Sequence, residues 1–358
     1  MTRSIKCIQM QVLQIIWKSL AINLFLSSYS INTSAQNSSY NTNTIPINGT
    51  QCTAFGTNAL RFNSTGGANT ASGYGSLYTN TTGNYNTASG FESLYFNTTG
   101  PANTANGTYS LYKNTIGSSN TGIGYQSLFS NTNGSANSAL GFASLGNNIS
   151  GNYNSAYGNS SLINNLTGNG NSAYGCQSLQ SNSIGNNNTA LGDSAGYFST
   201  GNKNVFLGNY AGFLETSGSN KLYLANDSAK TMIYGDFSTG QVLFGKAKPA
   251  GYTFKGNRTL NVFGGIISDS VRVALNISWA DYVFGSNYTL KPLQELRTYI
   301  DINNHLPNIP SAEEVKINGI EIAAMDAKLL EKIEELYLYI FQQQKQIDEL
   351  KRMIQEKK

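Results

Sequence analysis

Small, apolar and amide side chains recur through the middle of the chain at a fixed spacing of seventeen residues. Nine glycines keep that step: Gly56, Gly73, Gly90, Gly107, Gly124, Gly141, Gly158, Gly175 and Gly192. Leucine stands four residues after each of the first eight, as Leu60, Leu77, Leu94, Leu111, Leu128, Leu145, Leu162 and Leu179. Asparagine stands four before, as Asn69, Asn86, Asn103, Asn120, Asn137, Asn154, Asn171 and Asn188, and alanine usually stands two before. A second glycine follows ten residues after the first, from Gly66 to Gly185. Two backbone punctuation points per period predict a stacked coil, a parallel β-solenoid whose turns each hold two bends and two strands of four or five residues.

An Asn-, Ser-, Thr- and Gly-rich tract is ordinarily read as disordered, because it buries too little apolar surface to offset chain entropy. Phase argues otherwise here. A disordered segment has no reason to hold leucine and alanine at fixed positions over eight periods while their neighbours drift. The asparagine column is expected to stack its amides from coil to coil and lock the register. One leucine per coil is a poor core for one chain, so the leucine columns of several chains are expected to meet on a shared axis. Near the end of the array the step falls to sixteen, from Gly192 to Gly208, and Val205, Phe206, Leu207, Phe213, Leu222, Tyr223 and Leu224 supply the bulk of an end cap.

The pattern changes period towards the C-terminus. Ser311-Ala312-Glu313-Glu314 has the form of a capping box, and Asn318-Gly319 stops the short helix it opens. From about Ala323, Leu329, Ile333, Leu336, Ile340, Ile347, Leu350 and Ile354 fall alternately three and four apart once Gln343 is included. That is a coiled-coil seam over 323–355 and a trimerisation element. Isoleucine at the first core position with leucine at the second favours two strands by itself, whereas the head argues for three chains.

Charge then narrows the function. Between Gln51 and Thr200 the only charged side chains are Arg61, Glu92, Lys113 and Asp193, so no basic stripe exists for nucleic acid. Asp193 alone cannot supply a calcium roll, and the single histidine, His305, has no cysteine pair or acidic cluster beside it. No cofactor or metal site is expected, and no catalytic residue. Arg3, Lys6 and Lys18 precede an apolar run from Leu20 to Leu26 and small residues ending at Ala35, the order of a secretory signal, with Met10 as an alternative start. The run is too short to span a bilayer, so no transmembrane anchor is expected in the mature chain. Cys52 and Cys176 lie about seven coils apart, on the order of 34 Å, too far for a disulfide.

These regions divide the chain into a signal (1–35), a polar lead-in (36–50), a solenoid head (51–230), a β-rich connector (231–289) and a helical tail (290–358). The units Asn120-Thr121-Gly122-Ile123-Gly124-Tyr125-Gln126-Ser127-Leu128 and Asn188-Thr189-Ala190-Leu191-Gly192-Asp193-Ser194-Ala195 resemble the head repeats of trimeric autotransporter adhesins. That resemblance implies a left-handed parallel β-roll, three chains about one axis, and a surface-exposed homotrimer that meets matrix, host-cell or neighbouring-cell ligands. The period is longer than that family's usual one, and the family's four-stranded membrane anchor has no counterpart here. The stretches Trp279 to Phe284, Tyr288 to Ile300, His305 to Val315 and Leu329 to Leu336 are similar to the C-terminal region of secreted tail-fibre-domain proteins of Gram-negative bacteria.

Some fibre proteins end in a self-cleaving chaperone with a lysine five residues after its serine. Ser268 is the matching serine, but Val273 stands where the lysine would, so the serine has no base. The expectation is therefore an exported, non-enzymatic homotrimeric fibre on a Gram-negative cell surface or secreted from it. Tyr78, Tyr95, Tyr112, Tyr125 and Phe129 near the leucine columns are its candidate adhesive aromatics, with cover for the core as the equal alternative. A self-processing serine protease and an ice-binding solenoid, the latter from the Thr and Ser positions beside the asparagines, are the alternatives.

Overall fold

The computed structural model describes residues 38–40, 49–245, 258–273 and 279–357, so the expected signal and most of the lead-in lie outside the described residues. Residues 1–266 and 267–358 form two compact units.

The first unit is one sheet of fifteen strands in chain order. Three-residue strands mark the coils: β1 (Ser38–Tyr40), β2 (Thr53–Phe55), β3 (Thr70–Ser72), β4 (Thr87–Ser89), β5 (Thr104–Asn106), β6 (Thr121–Ile123), β7 (Ser138–Leu140), β8 (Ser155–Tyr157), β9 (Ser172–Tyr174), β10 (Thr189–Leu191) and β11 (Val205–Leu207). Longer strands follow as β12 (Lys221–Ala225), β13 (Thr231–Asp236), β14 (Gln241–Gly245) and β15 (Leu260–Phe263). Pairing is parallel from β1 to β12, antiparallel through β13 and β14, and parallel again at β15. The result is a parallel β-solenoid with an antiparallel end.

The expectation of two strands per coil is corrected. Each coil has one strand, and the run after its glycine is a chain of turns. The repeat leucines themselves turn the chain, with left-handed φ near 50° from Leu60 to Leu179. That conformation costs about 1–2 kcal/mol per residue, and burying the leucine returns about 1.5–3 kcal/mol. Backbone bonds between coils hold the turn side too, as where Leu77 N donates to Ser93 O (3.0 Å) and Leu94 N to Ser110 O (3.0 Å).

Inside most coils sit one alanine, one leucine, two asparagines and a serine, with Gly122 in the alanine's place in β6 and Cys52 in an asparagine's place in the first coil. Leu60 to Leu179 and the alanines before the repeat glycines are essentially inaccessible. The leucines are thus covered within one chain, which overturns the expectation that they form a seam between chains. The expected asparagine ladder is present: Asn120 Nδ2 donates to Gly134 O (2.8 Å) and Asn103 Oδ1 (3.1 Å), and Asn120 Oδ1 accepts from Asn137 N (3.0 Å). A second ladder runs through Asn63, Asn80, Asn97, Asn114, Asn131, Asn148, Asn165 and Asn182, as where Asn131 Nδ2 donates to Asn114 Oδ1 (2.7 Å) and Gly134 O (2.9 Å). It stops at Ser199, where the coil loses a residue, and Asn182 Oδ1 is left buried without a partner.

Both glycine columns are steric. A Cβ on Gly124, whose φ is +123°, would lie 2.4 Å from Gly141 O. One on Gly134 would lie 2.4 Å from both Asn131 Oδ1 and Gly151 O. No side chain fits between stacked coils there.

The end cap follows by exchange of volume. Where the alanine column becomes Phe206, the leucine column becomes Gly196 and Gly212, whose added Cβ atoms would stand 2.5 Å and 2.2 Å from the Phe206 ring. The inner column continues through Tyr223, Tyr234 and Leu243, all buried. Tyr223 Oη donates to Glu215 Oε2 (2.5 Å), and Lys221 pairs with Asp236 (2.5 Å).

The second unit holds a 3₁₀ turn (Ala280–Phe284), α1 (Leu293–Asn303), α2 (Ala312–Asn318) and α3 (Ile322–Glu356). The capping box is formed: Ser311 Oγ accepts from Glu314 N (3.2 Å), and Glu314 Oε2 accepts from Ser311 N (2.8 Å). Gly319 closes α2 at φ 70°.

Candidate assembly and adhesion surfaces

The repeat glycines, leucines and asparagines named from the sequence are interior scaffold, so any contact surface must come from the positions that vary. In a strand of three, the middle residue points inward and the outer two point away from the core. The last strand position is Phe55, Ser72, Ser89 and Asn106 in β2 to β5, then changes character at Ile123.

From there the register pairs Ile123, Leu140, Tyr157, Tyr174, Leu191, Leu207, Leu224, Ile233, Phe244 and Val262 in one line across ten strands, β6 to β15. None is buried, and Leu191 is 55% exposed. The Tyr157 and Tyr174 rings stack at 4.8 Å. At one strand spacing per step the line is about 43 Å long. With roughly 70 Å² offered by each side chain, it totals roughly 700 Å², beyond the ~300–600 Å² patch of a typical monomer. Near its end a cavity of about 680 Å³ opens between Leu207, Leu224, Met232, Ile233 and Phe244.

A second surface lies on the turn side of the earlier coils. Tyr78 and Tyr95 stack at 4.7 Å, Tyr95 and Tyr112 at 5.5 Å, and Tyr112 and Phe129 at 5.2 Å. Beside them Tyr74 stacks on Phe91 (5.2 Å) and Tyr125 on Phe142 (5.3 Å). Phe62, Phe96 and Tyr109 stand nearly perpendicular to these rows, at 89° to Tyr78, 79° to Tyr112 and 81° to Phe91. Of the five adhesive aromatics expected, Tyr125 is well exposed, and Tyr78, Tyr95, Tyr112 and Phe129 are half-buried within the ridge. Burial, with the neighbouring Tyr78 and Glu92, pushes the Tyr95 hydroxyl above its ordinary range, so it stays protonated.

In the second unit, one face of α3 packs on the 3₁₀ turn. Tyr282 Oη and Asn308 Nδ2 donate to the Glu331 carboxylate, Tyr288 Oη donates to Glu335, and Lys332 Nζ bridges Glu331 (2.7 Å) and Glu335 (3.0 Å). The Tyr282 hydroxyl is pushed up to about 12, first by its bond to Glu331 and then by burial. Burial alone would raise Glu331, but the bonds from Lys332, Tyr282 and Asn308 prevail and lower it. The opposite stripe is uncovered among the described residues: Leu329, Ile333, Leu336, Ile340, Ile347, Leu350 and Ile354 are 45–61% exposed.

Chemistry offers little else. Ser268 Oγ donates to Ser270 O (2.7 Å) in its own loop, and His305 Nδ1 lies 3.0 Å from Leu306 O. Among the described residues no cluster of metal-ligating side chains occurs and no helix is long and apolar enough to cross a membrane. Cys52 is buried, its Sγ donating to Gly66 O (3.3 Å), and Cys176 is exposed. No family model, characterised protein or solved structure matches this chain.

The strand-face line and the second asparagine ladder were missed by sequence reasoning. Both have plain signals: the residue before each repeat glycine turns apolar at Ile123, and asparagine recurs seven residues after each glycine from Asn63 to Asn182.

Proposed function

We propose that this protein is an exported, non-enzymatic fibre, a homotrimer whose solenoid head makes contacts on a cell surface and whose tail holds the chains together. The observation that carries the reading is the line from Ile123 to Val262, large apolar side chains on ten adjoining strands, none of them buried among the described residues. Its roughly 700 Å² approaches the ~800 Å² that each partner gives to a standard interface. A rigid line with one apolar group per coil is matched best by another line of the same step, that of a second copy. The bare heptad stripe on α3 supports self-association independently. The likeness of the head repeats to trimeric autotransporter adhesins supports three chains and surface display.

Light scattering coupled to size exclusion on residues 36–358 tests this. We expect three protomer masses, falling when Leu140→Lys and Tyr174→Lys are combined with Ile333→Lys and Ile340→Lys. A single-protomer mass for the native sequence refutes the assembly, and two masses refute the trimer.

A second reading has its own observation. Thr53, Thr70, Thr87, Thr104 and Thr121 align on the outward face of β2 to β6, four of them exposed, beside Ser72, Ser89 and Asn106. Such a flat, uncharged hydroxyl column suits an ice lattice. Absence of thermal hysteresis removes that reading.

A further inference from the structure

We propose that the aromatic ridge on the coils from Gly56 to Phe142 is a binding site for a neutral polysaccharide chain. This rests on the reading of the protein as an adhesive fibre, but it uses a different face from the one that assembles it.

Ring orientation supplies the first argument. Rings stacked from coil to coil face one another along the solenoid, so those rows show edges and tyrosine hydroxyls to solvent. Phe62, Phe96 and Tyr109 are turned by 89°, 79° and 81° from neighbours in the rows, so their planes run along the solenoid instead. Phe62 is 48% and Phe96 40% exposed. Phe62 and Phe96 in that orientation offer faces to the C–H surface of a sugar, half-buried Tyr109 packs among Phe91, Tyr112, Tyr125 and Phe129, and the hydroxyls around them offer hydrogen bonds.

Charge supplies the second. Arg61, Glu92 and Lys113 are the only charged side chains on these coils. Both cations already serve the ridge: the Arg61 guanidinium sits 5.7 Å from the Phe62 centroid and donates to Asn58 Oδ1 (2.7 Å), and Lys113 Nζ sits 5.1 Å from the Phe129 centroid. A polyanion would need a basic stripe and a polycation an acidic one, and neither exists. Interleaved Asn58, Thr79, Thr108, Gln126 and Ser130 are uncharged donors and acceptors. Repetition supplies the third: a ligand that meets ring after ring on successive coils must itself repeat. An uncharged, repeating chain with alternating apolar faces and hydroxyls satisfies all three conditions. The ridge ends where its two main columns become Asn159 and Cys176, and Gly146, Ile163 and Gln180.

Affinity electrophoresis of residues 36–358 in native gels tests the proposal, with hydroxyethylcellulose or galactomannan as neutral probes and alginate as the anionic one. We expect retardation by a neutral probe and none by alginate. The Phe62→Ser/Phe96→Ser/Tyr109→Ser variant should bind about tenfold more weakly or worse, with its oligomeric mass unchanged. Phe62→Ser alone, at a half-exposed position, provides a folded variant with a partial loss. Three results overturn the proposal: no retardation by either neutral probe, retardation by alginate alone, or equal retardation of native and variant proteins. A variant that loses oligomeric mass also overturns it, because the ridge is then an assembly contact. Retardation of a native protein that proves monomeric leaves the site standing while the fibre fails.

Discussion

Replacing Asn120 by aspartate changes one atom and should make the head sensitive to pH. In the native ladder the Asn120 amide nitrogen donates to Gly134 O (2.8 Å) and Asn103 Oδ1 (3.1 Å), while its oxygen accepts from Asn137 N (3.0 Å). An ionised aspartate still accepts from Asn137, but its second oxygen then faces two acceptors at a fully buried site. A protonated aspartate can donate to Gly134 O and restore that bond, though not the one to Asn103 Oδ1. The folded coil therefore binds the proton more tightly than the unfolded chain, whose aspartate titrates near ~3.9.

A carboxyl raised in this way stabilises the fold fully below its unfolded pKa, and that contribution is lost as pH rises through the folded pKa. Each unit in the window is worth about 1.4 kcal/mol. If ionisation is held off to about pH 7, some three units give about 4 kcal/mol, or roughly 10 °C in melting temperature for a domain of this size. Asn120→Ala is the control: it orphans the Asn137 N–H and costs about 1–3 kcal/mol with no dependence on pH. Circular-dichroism melts of both variants at pH 4 and pH 7, each referred to the native protein at the same pH, read the effect. An aspartate variant whose deficit is the same at both pH values would refute the account of the ladder.

Exchange of volume at the cap predicts coupling: Phe206→Ala should cost about 3–5 kcal/mol, and Gly196→Leu alone should fail because the ring fills its site, whereas the double variant rebuilds the regular alanine and leucine pair. Chemical denaturation of the three variants decides, and additive losses would contradict the packing. In the second unit, Glu331 is lowered, so its contribution is present above the unfolded carboxylate range and lost as pH falls through its folded pKa. The fluorescence of Trp279, which adjoins the 3₁₀ turn, should report that loss on acid titration. Tyr282→Phe removes one of the bonds that lower Glu331, so the transition should move to higher pH, and an unmoved midpoint would count against it.

The coil, its period and its two steric glycine columns were legible because nothing but glycine fits where Gly124 and Gly134 sit. The capping box and the long helix were legible for a similar reason, since local chemistry decides them. The turn side was not. Glycine and asparagine are the residues that announce a left-handed backbone, yet here the buried Leu77 and Leu94 adopt it at φ 50° and 51°. Hydrogen bonds between coils and burial impose that conformation, and neither is visible in a single period. The expectation of a leucine seam between chains failed for a related reason. Leucine was the largest apolar residue at constant phase, but constant phase marks the inside of a solenoid, whereas the outward line at Ile123 to Val262 keeps its apolar character while varying in identity.

That difference leaves one repeat with two separate sets of positions. Alanine, leucine, two asparagines and serine close each coil, and they recur with few changes from Leu77 to Leu179. The outward positions are free of that duty, so their substitution costs little stability. They change along the head: the ridge occupies the coils from Phe62 to Phe142, and the strand-face line begins at Ile123. Within a coil the two surfaces are also separated, because the repeat glycine turns the chain sharply between the last strand position and the turn that carries Tyr78, Tyr95, Tyr112 and Phe129. A head assembled through the strand face thus keeps most of its ridge in solvent. On the proposed reading, binding and assembly would be altered independently, by columns that share a scaffold but little surface.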